Sequence, residues 1–168
     1  MRVVTLILFL LAFAVFSSDA VAQGSATPKG WRKVTACEFS FLVPEETRQR
    51  PTSPVDSCLA AFEYKDLSIS LDYGWYSAPE SEEAAKFYGL KNYRSQDVTI
   101  NGREATLITY DDAMRPNDIS SVTKIHVITS RSTKSPTIVS LLMSFQTKGT
   151  SNVDVIKQIY ESLKFVGK

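Results

Sequence analysis

Residues that commonly carry chemistry are scarce in this chain. It holds one histidine, two cysteines and three methionines in 168 residues, and its 19 basic side chains are offset by 18 acidic ones. A net charge of +1 leaves no electrostatic footprint for nucleic acid and no polybasic patch for anionic lipid. The single histidine, His126, has no partner arrangement of the kind that nucleophilic or general-base catalysis needs. There is no C-x-x-C redox motif and no G-x-G-x-x-G nucleotide fingerprint. Beyond residue 16 no second long apolar run follows, so a membrane span is not expected.

The one long apolar run lies at the start. Arg2 precedes Val3 to Phe16, apolar except for Thr5, and Ala20-Val21-Ala22 forms an A-x-A exit. This predicts a signal peptide over residues 1–22 with cleavage before Gln23, and hence a periplasmic or secreted protein. No cysteine follows the cut, which argues against a lipid anchor. Residues 23–30 are small and polar and read as a flexible leader. Residues 31–168 then form one domain, a length that buries a sizeable core unaided. Cys37 and Cys58 are an even pair in an exported chain, more often a disulfide than two free thiols. Their bond would tie down the Pro-containing stretch from Pro44 to Asp56.

Strands are expected at Trp31 to Cys37 and at Phe39 to Val43, the latter with Phe39, Phe41 and Val43 on one face. Cys58 to Tyr64 and Leu67 to Tyr76 read as a hairpin around Lys65-Asp66. Leu67, Ile69, Leu71, Tyr73 and Trp75 alternate with Ser68, Ser70, Asp72 and Gly74, as one buried face requires. Ser77 and Glu80 form a capping pattern with Pro79 in the first turn, predicting a helix with Ala84, Phe87, Tyr88 and Lys91 toward the core. Asn101-Gly102 between Gln96 to Ile100 and Arg103 to Tyr110 is a strong hairpin signal. Ser121 to Thr129 and Thr137 to Phe145 make a third pair, the latter apolar on both faces like a strand covered on both sides. A final helix from Ser151, with Ser151 and Asp154 as its cap, presents Val155, Ile156, Ile159, Tyr160 and Leu163; Phe165 then returns to the sheet. The order predicts an α+β fold: a mainly antiparallel sheet of about six or seven strands with two main helices packed on it. Its core should join Leu67, Ile69, Leu71 and Tyr73 to Val139, Leu141 and Met143, with Ile156, Ile159 and Leu163 nearby.

Three stretches carry a family resemblance. Phe39-Ser40-Phe41-Leu42-Val43-Pro44 resembles an opening strand-then-proline motif, Thr99 to Ala105 is similar to a central hairpin, and Ser162-Leu163-Lys164-Phe165 resembles a closing helix-to-strand segment. Together they resemble the superfamily of photosystem PsbP proteins and Ran-binding Mog proteins, with their exported bacterial relatives. The resemblance implies a layered sandwich. It implies no single function, since members range from photosystem assembly to binding of a nuclear GTPase.

Several local patterns suggest chemistry and lose it on their elements. Ser121-Val122-Thr123-Lys124 matches S-x-x-K, but a strand would put Ser121 and Lys124 on opposite faces, and the companion motifs are missing. Tyr160 and Lys164 match Y-x-x-x-K without any dinucleotide fold around them. Asp111, Asp112 and Asp118 are mis-spaced for an EF-hand and suit turns. Glu80, Glu82 and Glu83 suit a helix start. No metal or cofactor is expected. The reading is an exported, non-enzymatic module that binds an envelope or extracellular protein. It would do so through the loops Pro44–Ser57 and Asp111–Ile119, with Arg48, Arg50, Asp111, Asp112, Arg115 and Asp118 as candidate contacts. A small-molecule or lipid carrier with a pocket between sheet and helices is the alternative, and a hydrolase using His126 a second one.

Overall fold

The computed structural model describes residues 27–53, 56–75, 77–112, 120–131, 138–148 and 152–166. Residues 1–22, where the sequence predicts a signal peptide, and Tyr76, Arg115, Asp118 and Ser151 lie outside them. Among the described residues, ten strands form two antiparallel sheets, accompanied by two helices. The strands are β1 (Trp31–Ala36), β2 (Phe39–Pro44), β3 (Arg48–Arg50), β4 (Cys58–Tyr64), β5 (Leu67–Gly74), β6 (Lys91–Ile100), β7 (Arg103–Asp112), β8 (Ser120–Arg131), β9 (Ile138–Lys148) and β10 (Lys164–Phe165). The helices are α1 (Glu82–Phe87) and α2 (Val153–Glu161). A three-stranded sheet runs β1-β2-β10, and a seven-stranded sheet runs β3-β4-β5-β9-β8-β7-β6. The α+β architecture expected from the sequence is present, with the strands divided between two sheets. No helix among the described residues is long and apolar enough to cross a membrane.

Alternation builds the core. Leu67, Ile69 and Leu71 of β5, Leu141, Met143 and Phe145 of β9, and Ile125 and Val127 of β8 share the inner face of the large sheet and are buried. Phe39, Phe41 and Val43 of β2 and Ile156, Ile159 and Leu163 at α2 close over that face in the same cluster. Phe41 meets Phe62 edge to face at 5.7 Å, and Phe39 meets Tyr73 at 5.0 Å. Cys37 and Cys58 are bonded, with Cα atoms 5.6 Å apart, joining the β1–β2 turn to the start of β4 across the two sheets. At the Asn101-Gly102 turn both residues have positive φ, 48° and 76°, the backbone that a type I′ hairpin demands.

Some expectations are corrected. Arg48 to Arg50 is a short edge strand rather than loop: it pairs with β4, and Pro51 then withholds an N–H donor. Asp111 and Asp112 end β7 instead of opening a loop. α1 begins four residues later than the Ser77 pattern suggested: its cap is Ser81, whose hydroxyl accepts from the Ala84 amide at 3.1 Å. Ser77 is unavailable because its hydroxyl donates to Asp72 at 3.0 Å while its carbonyl accepts from Ser140 at 2.5 Å. A helix of six residues is too short for a stripe. Ala85 alone is buried there, and Phe87 and Tyr88 are 84% and 60% exposed. Trp75 is 68% exposed, because β5 stops at Gly74. Lys91 opens β6 and is exposed. The cap position of α2 is Asn152, which makes no cap bond and donates its amide to Asp66 and Thr147. On β9 the second face is only partly covered: Leu142 is half-buried and Ile138 exposed.

Candidate functional site

The outer face of the large sheet carries the polar side chains. One row crosses it in register: Asp72 on β5, Leu142 on β9, His126 on β8, Thr106 on β7 and Asp97 on β6. These are the residues that alternation turns away from the core. Over the β5–β9–β8 part of this face runs the segment from Ser77 to Glu80, held mainly by polar contacts. The imidazole of His126 hydrogen-bonds the Ser77 backbone, the Ser140 hydroxyl donates to the Ser77 carbonyl, and the Tyr93 hydroxyl donates to the Glu80 carbonyl at 2.9 Å. Lys124 forms an ion pair with Glu80, the two side chains being only 13% and 29% exposed. Glu80 thus serves this strap and not the helix start. Beneath the ion pair, Ile108, Tyr110 and Val122 form a second apolar cluster with Leu90 and Tyr93 against it.

Beside the strap lies an open cleft of about 500 Å³, lined by Asp97, Val98, Thr99, Glu104, Ala105, Thr106, His126 and Ile128. Two smaller hollows, of about 340 and 250 Å³, flank α1 and the β2–α2 junction. The main cleft is acidic. Asp97 and Glu104 line it, and Lys124, two residues from His126 on β8, is committed to Glu80. Burial holds the His126 pKa below the ordinary histidine value, against the opposing effect of its bond to Ser77, so the imidazole is neutral at pH 7. Burial pulls the Lys124 ammonium down, but its bonds to Glu80 and Tyr110 outweigh this and its pKa stands above the usual lysine value. Tyr110 is pushed up, chiefly by its own burial.

The Ser77 and Ser140 hydroxyls beside His126 are committed elsewhere and do not form a nucleophile–base pair with it. Ser77 Oγ donates to Asp72, and Ser140 Oγ donates to a carbonyl. Ser121 and Lys124 fall on opposite faces of β8, as strand geometry requires. Tyr160 packs against the core while Lys164 is exposed on β10. Among the described residues, no group of three or more His, Cys, Asp or Glu side chains converges to hold a metal ion.

The candidate contacts read from the sequence fall on two separate strands. Arg48 and Arg50 are exposed on β3, where Arg50 pairs with Glu63 at 2.7 Å. Asp111 and Asp112 end β7, where Asp111 accepts from Asn92 at 2.6 Å. Four strands, β4, β5, β9 and β8, separate the two pairs, so they do not form one site. Arg115 and Asp118 lie outside the described residues. Asp97, Thr99, Glu104 and Thr106 escaped the sequence reading. Their alternation with Val98, Ile100, Ala105 and Leu107 around Asn-Gly marks them as one face of a hairpin, but only the β7–β8 register sets them beside His126.

No protein-family model matches the sequence, and no curated protein matches it. Among solved structures, that of a point mutant of the protein Mog1 is similar, with 12% sequence identity and a TM-score of 0.46 over 82% of this chain and 97% of that one.

Proposed function

We propose that this protein is an exported, non-catalytic binding module that engages a protein partner through the outer-face cleft on β6, β7 and β8. The observation that carries this reading is the cleft itself: an open, acidic depression of about 500 Å³ on a rigid antiparallel scaffold. The interior supports it over a carrier. The space between the large sheet, β2 and α2 is filled by side chains such as Phe41, Met143, Phe145 and Ile159, all at 0–1% exposure. The hydroxyl commitments around His126 support binding over hydrolysis. We favour the cleft over the two loops because it combines shape with one sign of charge, whereas Arg48 and Arg50 sit four strands from Asp111 and Asp112. Export rests on the N-terminal pattern of residues 1–22, with which a Cys37–Cys58 bond is compatible. Placement among exported relatives of the PsbP and Mog-type proteins rests on the three motifs quoted above.

The test is to fill the cleft. Thr106→Trp places a large side chain on its floor, and cross-linked partner recovered from an envelope extract should fall about tenfold relative to wild type, as loss of a contact surface implies. Undiminished recovery would move the interface elsewhere. Turnover of a chromogenic ester panel that disappears in His126→Ala would overturn the non-catalytic reading.

A further inference from the structure

The cleft abuts a free strand edge. The large sheet ends at β6, whose side away from β7 is paired to no strand among the described residues. The Asn101-Gly102 turn makes Ile100 and Arg103 the closing hydrogen-bonded pair, so Val98 with Ala105 and Gln96 with Leu107 also exchange bonds inward. Ser95, Asp97 and Thr99 therefore direct their backbone N–H and C=O groups outward, away from the sheet. The same three residues carry their side chains on the outer face, where Asp97 and Thr99 line the cleft. The other half of β6 is guarded: its register shifts between Lys91 and Arg94, and both are charged, the usual devices against edge pairing. The half from Ser95 to Thr99 is regular and exposed except for the half-buried Val98.

We infer that this half-edge accepts an extended segment of the partner protein as an eighth strand, and that the segment is basic at alternate positions. The inference rests on the binding reading above and gives the partner its chemistry. An added antiparallel strand would hydrogen-bond Ser95, Asp97 and Thr99 and place alternate side chains on the outer face. A Lys or Arg opposite Asp97 would lie within cross-strand pairing distance of its carboxylate. One opposite Thr99 would reach over β6 toward Glu104, since Thr99 and Glu104 are direct partners. A neutral His126 offers such a cation no repulsion, and Lys124 is held by Glu80.

The probes are two fluorescent octapeptides, one alternating Lys with Val and one alternating Glu with Val, titrated against the full exported chain by anisotropy. The Lys peptide should bind and the Glu peptide should not. Asp97→Lys and Glu104→Lys, made separately, should each weaken the Lys peptide about tenfold or more, whereas Glu46→Lys, the same charge change in the exposed β2–β3 turn, should change it less than about twofold. Thr99→Pro removes an outward N–H that the fold does not use and should abolish binding. Independently of any variant, the amides of Ser95, Asp97 and Thr99 should exchange quickly in the free protein and slowly with the Lys peptide bound. Equal binding of both peptides, equal losses at Glu46 and at the cleft, or protection elsewhere would overturn the inference. If Thr106→Trp abolishes partner recovery while these amides stay unprotected, the cleft reading stands and the strand addition falls. If the amides are protected but Thr106→Trp leaves recovery unchanged, the functional reading falls.

Discussion

Leu141 shows what one side chain does in this fold. It is fully buried on β9, which is bonded on both sides to β5 and β8, so nothing can move in to replace it. Leu141→Ala should cost about 2–5 kcal/mol in chemical denaturation, the range for a truncation whose cavity cannot collapse. Gly74 is constrained by contact instead of by burial. A Cβ added there would lie 2.9 Å from the Ser57 Cβ and 3.5 Å from its backbone, so Gly74→Ala should destabilise by about 1–3 kcal/mol through overpacking. His126 supplies the pH dependence. Its pKa is lower folded than unfolded, so between those values the unfolded chain binds more protons and stability rises with pH. The penalty is absent above the ordinary value near 6.5 and grows as pH falls below it. His126→Gln should flatten the Tm-versus-pH curve just below pH 6.5, and the single imidazole NMR signal should titrate below the usual histidine value.

At the scale of elements, the short helix α1 is the least autonomous piece. Six residues make under two turns, too few to be stable alone. What fixes it is the Ser81 cap and the strap before it. Ser81→Ala should therefore cost about 1 kcal/mol, the usual loss of a side-chain cap, and speed amide exchange at Ala84. The strap is anchored by the Lys124–Glu80 pair. This pair is more sheltered than the surface Arg50–Glu63 pair, so a double-mutant cycle on Lys124→Met and Glu80→Gln should give the larger coupling energy. The hairpins need less help. Asn101-Gly102 carries its turn geometry in its own residues, which is why the β6–β7 register was legible without any tertiary information.

At the scale of the whole molecule, the two sheets are joined by packing and by one covalent bond. Cys37 and Cys58 are 21 residues apart, and replacing both by Ser should lower stability by about 3 kcal/mol on the chain-entropy account. Phe39, Phe41 and Val43 would still hold the small sheet, so the variant should fold, with a lower denaturation midpoint. The sequence by itself determined the strands with a strict period of two, the Asn-Gly turn, the apolar face of α2 and the pairing of the only two cysteines, because each depends on near neighbours or on elimination. It did not determine where α1 starts. Ser77 and Ser81 are both plausible caps locally, and the choice fell to Asp72 and Ser140, which lie on β5 and β9 and occupy Ser77. Nor did it expose Phe87, Tyr88 and Trp75, since helical or strand spacing says which residues share a face but not whether that face meets a neighbour. The cleft is the clearest case. Asp97, Thr99, Glu104 and Thr106 are ordinary alternating polar residues, and only the order in which β6, β7 and β8 hydrogen-bond sets them beside His126 and leaves the edge of β6 open. Side-chain periodicity is local and can be read along the chain; which strand lies next to which is set by long-range burial, and here that order made the site.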